Sequence, residues 1–573
     1  MTRLQAITNL VWSWGVLLIA IQPAIAGAAP TSILDLQPNK LSERAELPPL
    51  DGHAGRATLI NLNPKINSWY VLRIDRDGGP APRSYQLENA DPARQTVHLN
   101  GDRGLLLSGV GSDLACDLWR PAVSDALDKA QESALPYAPL CNNHLYLRNV
   151  VKGTYTNIER ITGFLRDHVW GGEKIIGFAK DKLYSDAFLE KANPAADAYT
   201  SSVYTAPMGA PPAAKLSGPV AAIRIAPSHL GLDPGTQDGL LPGRWYPVQG
   251  ASGIYVSAIQ PLAAYRSVPG TPTPAAYDPV EAGALDYLVA FDLQQLTLGF
   301  ALGTDQPRLG WSARIKDNMR NAAMPGPDGI DSAAPLARTG MVSPVALPRI
   351  AAAFTGGFKR EHGAFRYGAL ASRNLGSHYG FIEEGTVFSR LQSGMATLFV
   401  LDDGTVEMKT WTLDDNRLLP RIRHARQNGV PLVEPDASTG KTRPGALVAQ
   451  WGAGNWSGSA DVRQRTLRAG ACLVRTQTQR FLIYGYFSSA TPPAMAGVFQ
   501  AYGCNYAMHL DMNALEHTYL AVYTRSGNAL SVQHMVEGMD AVDRKGGDAY
   551  APRFLAFPDD RDFFYLTRKQ AAP

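Results

Sequence analysis

The feature that most limits the fold lies between residues 480 and 512. Arg480–Phe487 and Tyr506–Met512 are apolar, aromatic runs of strand length. Between them, Thr491-Pro492-Pro493 has the form of a helix start, with a capping residue followed by proline in the first turn. Gly503 has the form of a helix stop. Strand, helix, strand at this spacing predicts a βαβ unit with a right-handed crossover. The expected fold class is therefore α/β in the broad, α+β sense. It comprises a C-terminal domain built on a mixed sheet and a β-rich N-terminal region.

The rest of the chain is organised around that unit. Met395–Leu401 and Thr405–Trp411 flank Asp402-Asp403-Gly404 and predict a hairpin. Arg468–Val474 and Arg480–Phe487 predict another pair of strands. Toward the N-terminus, residues 47–146 read as short strands such as 57–62 and 69–74, separated by turns such as Asp77-Gly78-Gly79-Pro80. A helical hairpin follows, with Asn157 as a cap, Gly171-Gly172 as a break and a second helix over 173–192. Residues 31–192 are read as one domain, and 193–219, rich in Ala, Pro, Ser and Gly, as a linker. Residues 220–573 are read as the second domain, with its most regular part at 350–525. Within it, 314–344 is irregular and fits an active-site loop or a disordered insert.

The first 26 residues predict a signal peptide: Arg3, an apolar stretch from Leu10 to Ile25, and Ala24-Ile25-Ala26 as a cleavage site. Cleavage would leave 573 − 26 = 547 residues. No later stretch reaches the ~18 apolar residues of a membrane span. The expected location is periplasmic or secreted, where disulfides form. The four cysteines then pair by proximity as Cys116–Cys141 and Cys472–Cys504, although four cysteines allow three pairings. A net charge of 54 − 51 = +3, with no basic block, argues against nucleic acid as a partner.

Chemistry is expected at three places. In the strand 506–512, alternation sets Met508, Leu510 and Met512 on one face, ready to pack on the preceding helix. It sets His509, Asp511 and the following Asn513 on the other, near the strand end where α/β sheets bind ligands. The common alternatives for such a face are solvation and a buried hydrogen-bond network that only holds loops. The run 350–355 leads into Gly356-Gly357, whose N–H groups could cradle an anion, with His362 just downstream. An ordinary tight turn explains the same residues. The segment Arg421-Ile422-Arg423-His424-Ala425-Arg426-Gln427-Asn428 offers guanidinium groups suited to phosphate, although most such charges belong to a solvated loop. Arg468, opening a strand, is a separate anion candidate. Glu383-Glu384 and Glu516-His517 are weaker, since neighbours on a strand point to opposite faces. No Walker loop, nucleophile elbow or His-Glu-x-x-His motif occurs.

Taken in order, Gly356-Gly357-Phe358, the Gly394–Trp411 hairpin, Arg426-Gln427-Asn428, Arg468 and Leu510-Asp511 resemble the phosphodiester glycosidase family over about residues 350–525. The sequence departs from that pattern at Thr355, where the family often has Asn, and at Met512-Asn513-Ala514-Leu515, where it often has a Gly-rich turn. The resemblance implies hydrolysis of a sugar-1-phosphodiester on a carbohydrate substrate, without cofactor or metal. It implies Asp511 as base or nucleophile and His509 as its orienting group or proton shuttle. Gly356, Gly357 and Arg468 would hold the phosphate, with His362, Arg426 and Asn428 lining the site and Asn513 on a sugar hydroxyl. Two other readings compete. One is a non-catalytic carbohydrate-binding or structural envelope protein. The other is a metal-assisted phosphodiesterase with His509, Asp511 and His362 as ligands.

Overall fold

The computed structural model describes residues 31–570 except 51–52, 80, 110–112, 120–124, 156–185, 192, 195–203, 218–220, 225–229, 233–238, 265–276, 367, 377–378, 449–463, 528 and 547–548. The expected leader and most of the expected helical hairpin lie outside the described residues.

The site is carried by seven strands and one helix: β1 (Ile350–Thr355), β2 (Ile422–Gln427), β3 (Thr466–Arg475), β4 (Arg480–Ala490), α1 (Pro492–Ala501), β5 (Tyr506–Met512), β6 (Leu520–Ser526) and β7 (Phe563–Arg568). β3, β4 and β5 are central in an eight-stranded sheet. β3 lies between β4 and β5 and is antiparallel to both, so β4 and β5 run parallel and α1 carries the crossover. This is the βαβ unit, with one strand interposed. β1 and β7 are neighbours in a five-stranded sheet that also holds β6, and β2 is central in a second five-stranded sheet. The fold is a mixed, β-rich α+β one.

The reason for this arrangement is apolar burial on both faces of the large sheet. One face, with Tyr287, Phe291, Tyr484 and Met508, shares a core with Phe354 of β1, Phe564 of β7 and Phe381 and Phe399 of the second sheet. Phe354 sits at its centre, with ring centroids 5.2 Å from Tyr484, 5.4 Å from Phe564 and 6.0 Å from Phe291. The other face is covered by α1 through Ala494, Met495, Val498 and Phe499. The faces of β5 are the reverse of the expectation. Met508, Leu510 and Met512 enter the main core, while Ala507 joins the cluster built on α1. The close approach of α1 explains this. A Cβ on Gly470 of β3 would lie 2.9 Å from Phe499 and 3.0 Å from Met495, so the surface under the helix favours small side chains. The helix start also differs. Thr491 makes no side-chain cap; its N–H donates to the buried carboxylate of Glu281 instead.

Cys116–Cys141 and Cys472–Cys504 are disulfide-bonded. Among the described residues no helix is long and apolar enough to cross a membrane. The described part of the expected linker, 204–217, is not a free connector. Pro212 O accepts from the Trp245 indole at 2.9 Å, Lys215 N–H donates to Ala501 O at 2.8 Å and Ser217 N–H to Ala263 O at 2.9 Å. Backbone groups make these contacts, so no side-chain periodicity announces them. The irregular stretch 314–344 is likewise pinned. Buried Asp328 accepts from the Ser389 hydroxyl at 2.8 Å and Arg390 N–H at 3.0 Å, and pairs with Arg360.

The N-terminal six-stranded sheet packs on the second five-stranded sheet through a buried charge cluster. Arg148 lies 2.6 Å from Glu88 and 3.5 Å from Glu383, with its guanidinium 3.9 Å from the Trp69 ring. Burial drives the Glu383 carboxyl up to about 8, against the pull of Arg148. A carboxyl with a raised folded pKa supports the fold in its neutral form. That contribution is complete below about 4.5 and is lost as pH rises from there through about 8. Chemical denaturation as a function of pH should therefore show wild-type stability falling across this window by a few kcal/mol at most. Glu383→Gln should flatten the fall; an unchanged profile in the variant would place the titrating group elsewhere.

Candidate active site

The site grows from one backbone contact. β5 approaches the end of β1 so that Asp511 N–H donates to Gly356 O at 3.1 Å. Asn428, just past β2, ties the same two strands together. Its oxygen accepts from Phe358 N–H at 3.1 Å, and its amide nitrogen donates to His509 O at 2.9 Å and Leu510 O at 3.3 Å. Residues far apart in sequence (356–358, 426–428 and 509–511) thus meet at one place.

The Asp511 carboxylate is buried. One oxygen accepts its neighbour's N–H, Met512, at 2.9 Å, and the other receives Arg561 Nη1. Arg561 Nη2 also meets His517 Nε2 at 2.7 Å, and His517 Nδ1 lies 2.7 Å from Met512 O. A carbonyl can only accept and a guanidinium can only donate, so His517 carries its proton on Nδ1 and accepts at Nε2. Asp511, Arg561 and His517 therefore form a chain around the loop after β5. His517 is partly exposed, and so are Asn513 and Ala514. This is where the cluster meets solvent.

Arg561 belongs to Asp559-Asp560-Arg561-Asp562, a run that leads directly into β7 and that the sequence reading did not single out. All four residues are buried. Asp559 takes Arg553 in a two-point pair at 2.7 and 3.0 Å. Asp560 lies 3.0 Å from Lys359 Nζ. Asp562 lies 2.8 Å from Arg426 Nε and 3.2 Å from its Nη2. The available signal was the apolar strand immediately downstream, which draws the run inward.

Asp562 engages several of the groups that the sequence reading gave to the substrate. Gly356 N–H donates to its backbone O at 2.8 Å and Gly357 N–H to its carboxylate at 3.4 Å. The two N–H groups expected to cradle a substrate phosphate are engaged by one residue, Gly356 by its backbone oxygen and Gly357 by its carboxylate. Arg426 spends its guanidinium on Asp562 and on Phe358 O at 2.7 Å, with its face 4.5 Å from the Phe381 ring. Asn428 is a tie between strands. Arg468 is buried and donates to Ala490 O at 2.8 Å and Gln464 O at 3.0 Å; burial lowers it to about 9, partly offset by Glu281. These residues build the walls of the site; their donor groups are turned inward.

His509 lies against Phe358, ring centroids 6.1 Å apart. Burial, helped by the Arg468 charge, holds its imidazole well below the ordinary range, so it is neutral at physiological pH. Asp511 is oriented by Arg561 and by Met512 N–H. Asn513 is left-handed at φ 80°, which suits asparagine, and its amide oxygen accepts from the Thr466 hydroxyl at 3.0 Å. His362 is partly exposed in a turn, its N–H on Lys359 O at 2.8 Å and its own O held by Arg314. Among the described residues no group of three His, Cys, Asp or Glu side chains could hold a metal ion, so His362, His509 and Asp511 do not form the ligand set of the metal reading.

No protein-family model matches the chain, and no curated protein is significantly similar to it. Among the solved structures that resemble it weakly are three from different organisms. The catalytic domain of zebrafish N-acetylglucosamine-1-phosphodiester alpha-N-acetylglucosaminidase, described as auto-inhibited by its pro-peptide, has a TM-score of 0.29 and 9% identity, over 56% of this chain and 85% of that one. A hypothetical protein from Synechocystis has a TM-score of 0.25 and 10% identity, over 55% and 62%. A Burkholderia pseudomallei protein described as exported has a TM-score of 0.22 and 11% identity, over 52% and 75%.

The Asp562–Arg426 pair is the part of this geometry that stability measurements can test. Asp562→Ala leaves a fully buried guanidinium without its carboxylate, and breaking a buried pair from one side costs about 3–5 kcal/mol. Urea unfolding should show a loss of that size, and a loss under about 1 kcal/mol would mean Arg426 finds another partner.

Proposed function

We propose that this chain is an exported hydrolase of sugar-1-phosphodiesters with Asp511 as its central carboxylate. The observation that carries the reading is convergence. Gly356-Gly357-Phe358, Arg426-Gln427-Asn428 and Leu510-Asp511, the segments behind the family resemblance, are joined by the Asp511–Gly356 and Asn428 hydrogen bonds. The two disulfides fit an oxidising compartment, the periplasm or the cell exterior.

In this reading a water attacks the anomeric carbon and gives its proton to Asp511. The C–O bond breaks, and its electron pair leaves with the phosphate. The products are a free sugar and a phosphomonoester. A phosphate leaving group needs little acid assistance, so the site's work is to orient the base and steady positive charge at the ring. Arg561 holds Asp511 in place. The carboxylate oxygens keep lone pairs for a water after accepting Met512 N–H and Arg561. Lys359, partly exposed beside Asp560, and Asn513 at the exposed loop supply donors for the phosphate and a sugar hydroxyl.

A second reading is a carbohydrate-binding envelope protein without chemistry. What favours it is the occupancy of the site: the Gly356 and Gly357 N–H groups are taken by Asp562, and both Asp511 oxygens already have donors.

Hydrolysis of chromogenic sugar-1-phosphodiesters, simple glycosides and bis-aryl phosphodiesters separates the two. The expected result is turnover of the sugar phosphodiesters alone, unchanged by chelator and reduced about 10²–10⁴-fold in Asp511→Asn. Full turnover in that variant removes Asp511 from the chemistry. Silence across the panel, together with measurable binding of glucose 1-phosphate, supports the binding protein.

A further inference from the structure

The segment that leaves the N-terminal sheet after Arg148 crosses the Pro558–Asp562 run. Thr154 N–H donates to Pro558 O at 3.0 Å, its hydroxyl donates to the same oxygen, and Thr154 bridges Asp559 in parallel. Gly153, beside it, has no room for a side chain. A Cβ there would lie 2.8 Å from Asp560 N and 2.9 Å from the Asp559 carbonyl carbon, and against the Thr304 hydroxyl. Gly303, Gly340 and Gly356, from three other parts of the chain, press equally closely on Asp560, Asp559 and Asp562. Thr304 N–H donates to Asp559 O at 2.9 Å, and Asp559 N–H to Gly340 O at 3.0 Å. Tyr155, the next residue, lies with its ring 5.6 Å from Lys359 Nζ, the partner of Asp560. Four glycines thus let the backbone of the charged run lie deep, and one of them belongs to the N-terminal region.

We infer that Gly153 and Thr154 are positioning residues for the Asp511 site: they set the depth of Pro558–Arg561 and hence the reach of Arg561 to Asp511 and His517. The inference rests on Asp511 and Arg561 forming the site, as proposed above. It gives the N-terminal region a part in the chemistry. A guanidinium attached to a segment displaced by a fraction of an ångström no longer meets two acceptors at once, and misplacement on the scale of 1 Å can cost about 10²-fold in rate.

The test uses the full chain and a readout independent of turnover. The imidazole nitrogen signals of His517, assigned by their absence in His517→Gln, report its Nδ1–H form with Nε2 accepting from Arg561. Gly153→Ala should shift these signals. It should also lower kcat for a sugar-1-phosphodiester about tenfold or more, with KM changed less than about threefold. Gly283→Ala, where a Cβ meets nothing within 4 Å, should leave both unchanged. If Gly153→Ala does not fold, Thr154→Val, which removes only the hydroxyl bond to Pro558, is held to the same standard. A folded variant whose His517 signals superimpose on the wild type overturns the inference. A wild type silent on every sugar phosphodiester overturns the enzyme reading instead, and the His517 comparison still decides this one.

Discussion

A carboxylate buried between two glycines and an arginine organises the centre of this protein. Asp562 receives Gly357 N–H and the Arg426 guanidinium on its side chain and Gly356 N–H on its backbone. Glycine is required at both positions by contact. A Cβ on Gly356 would collide with the Asp562 carboxylate, and one on Gly357 would lie 2.6 Å from Asn428 Cγ and 2.9 Å from Arg426 Cζ. Burying a charge pair is costly unless the remaining hydrogen-bonding capacity is satisfied. Here Phe358 O and the glycine N–H groups satisfy it. The result is a rigid junction of β1, β2 and β7, onto which β5 delivers Asp511.

The charged run 559–562 extends the junction. Asp559, Asp560, Arg561 and Asp562 each find a different opposite charge: Arg553, Lys359, Asp511 and Arg426. The backbone bends at Asp560 and Arg561, and the four side chains reach four different segments, so one short run holds several elements at once. The arrangement also sets the division of labour around Asp511. His509 is neutral because burial and Arg468 both oppose its charge. The group that orients the carboxylate is therefore the permanently charged Arg561.

The elements were legible in the sequence because their signals are local. The strand 506–512, the helix ending before Gly503 and the hairpin across Asp402-Asp403-Gly404 all rest on patterns within a few residues, and their bounds agree with the structure closely. Asp511, His509, Gly356 and Asn428 were legible from local patterns only as separate candidates, and the family resemblance alone set them in one site. Their roles were not. The sequence shows that Gly-Gly can cradle an anion, but not that a residue 205 positions away supplies one. It shows alternation along β5, but which face meets α1 depends on the small side chains the helix demands beneath it. Arg561 pairs with Asp511 across 50 positions, and the charge run that carries it reads as surface until the sheets close over it.

The two surviving functional readings differ in one physical respect. In a binding protein, the engaged donors of Gly356, Gly357, Arg426 and Arg468 only hold the walls in place. In a hydrolase they are an asset, because a base acts best when its position is set before the substrate arrives, by groups that need not rearrange. The inward-turned donors fix the walls. The Asp511–Arg561–His517 chain reaches the partly exposed loop at 513–517, which is short, polar at Asn513 and strapped at both ends. That loop places an amide, an imidazole and the end of a carboxylate chain at an edge of the cluster that meets solvent.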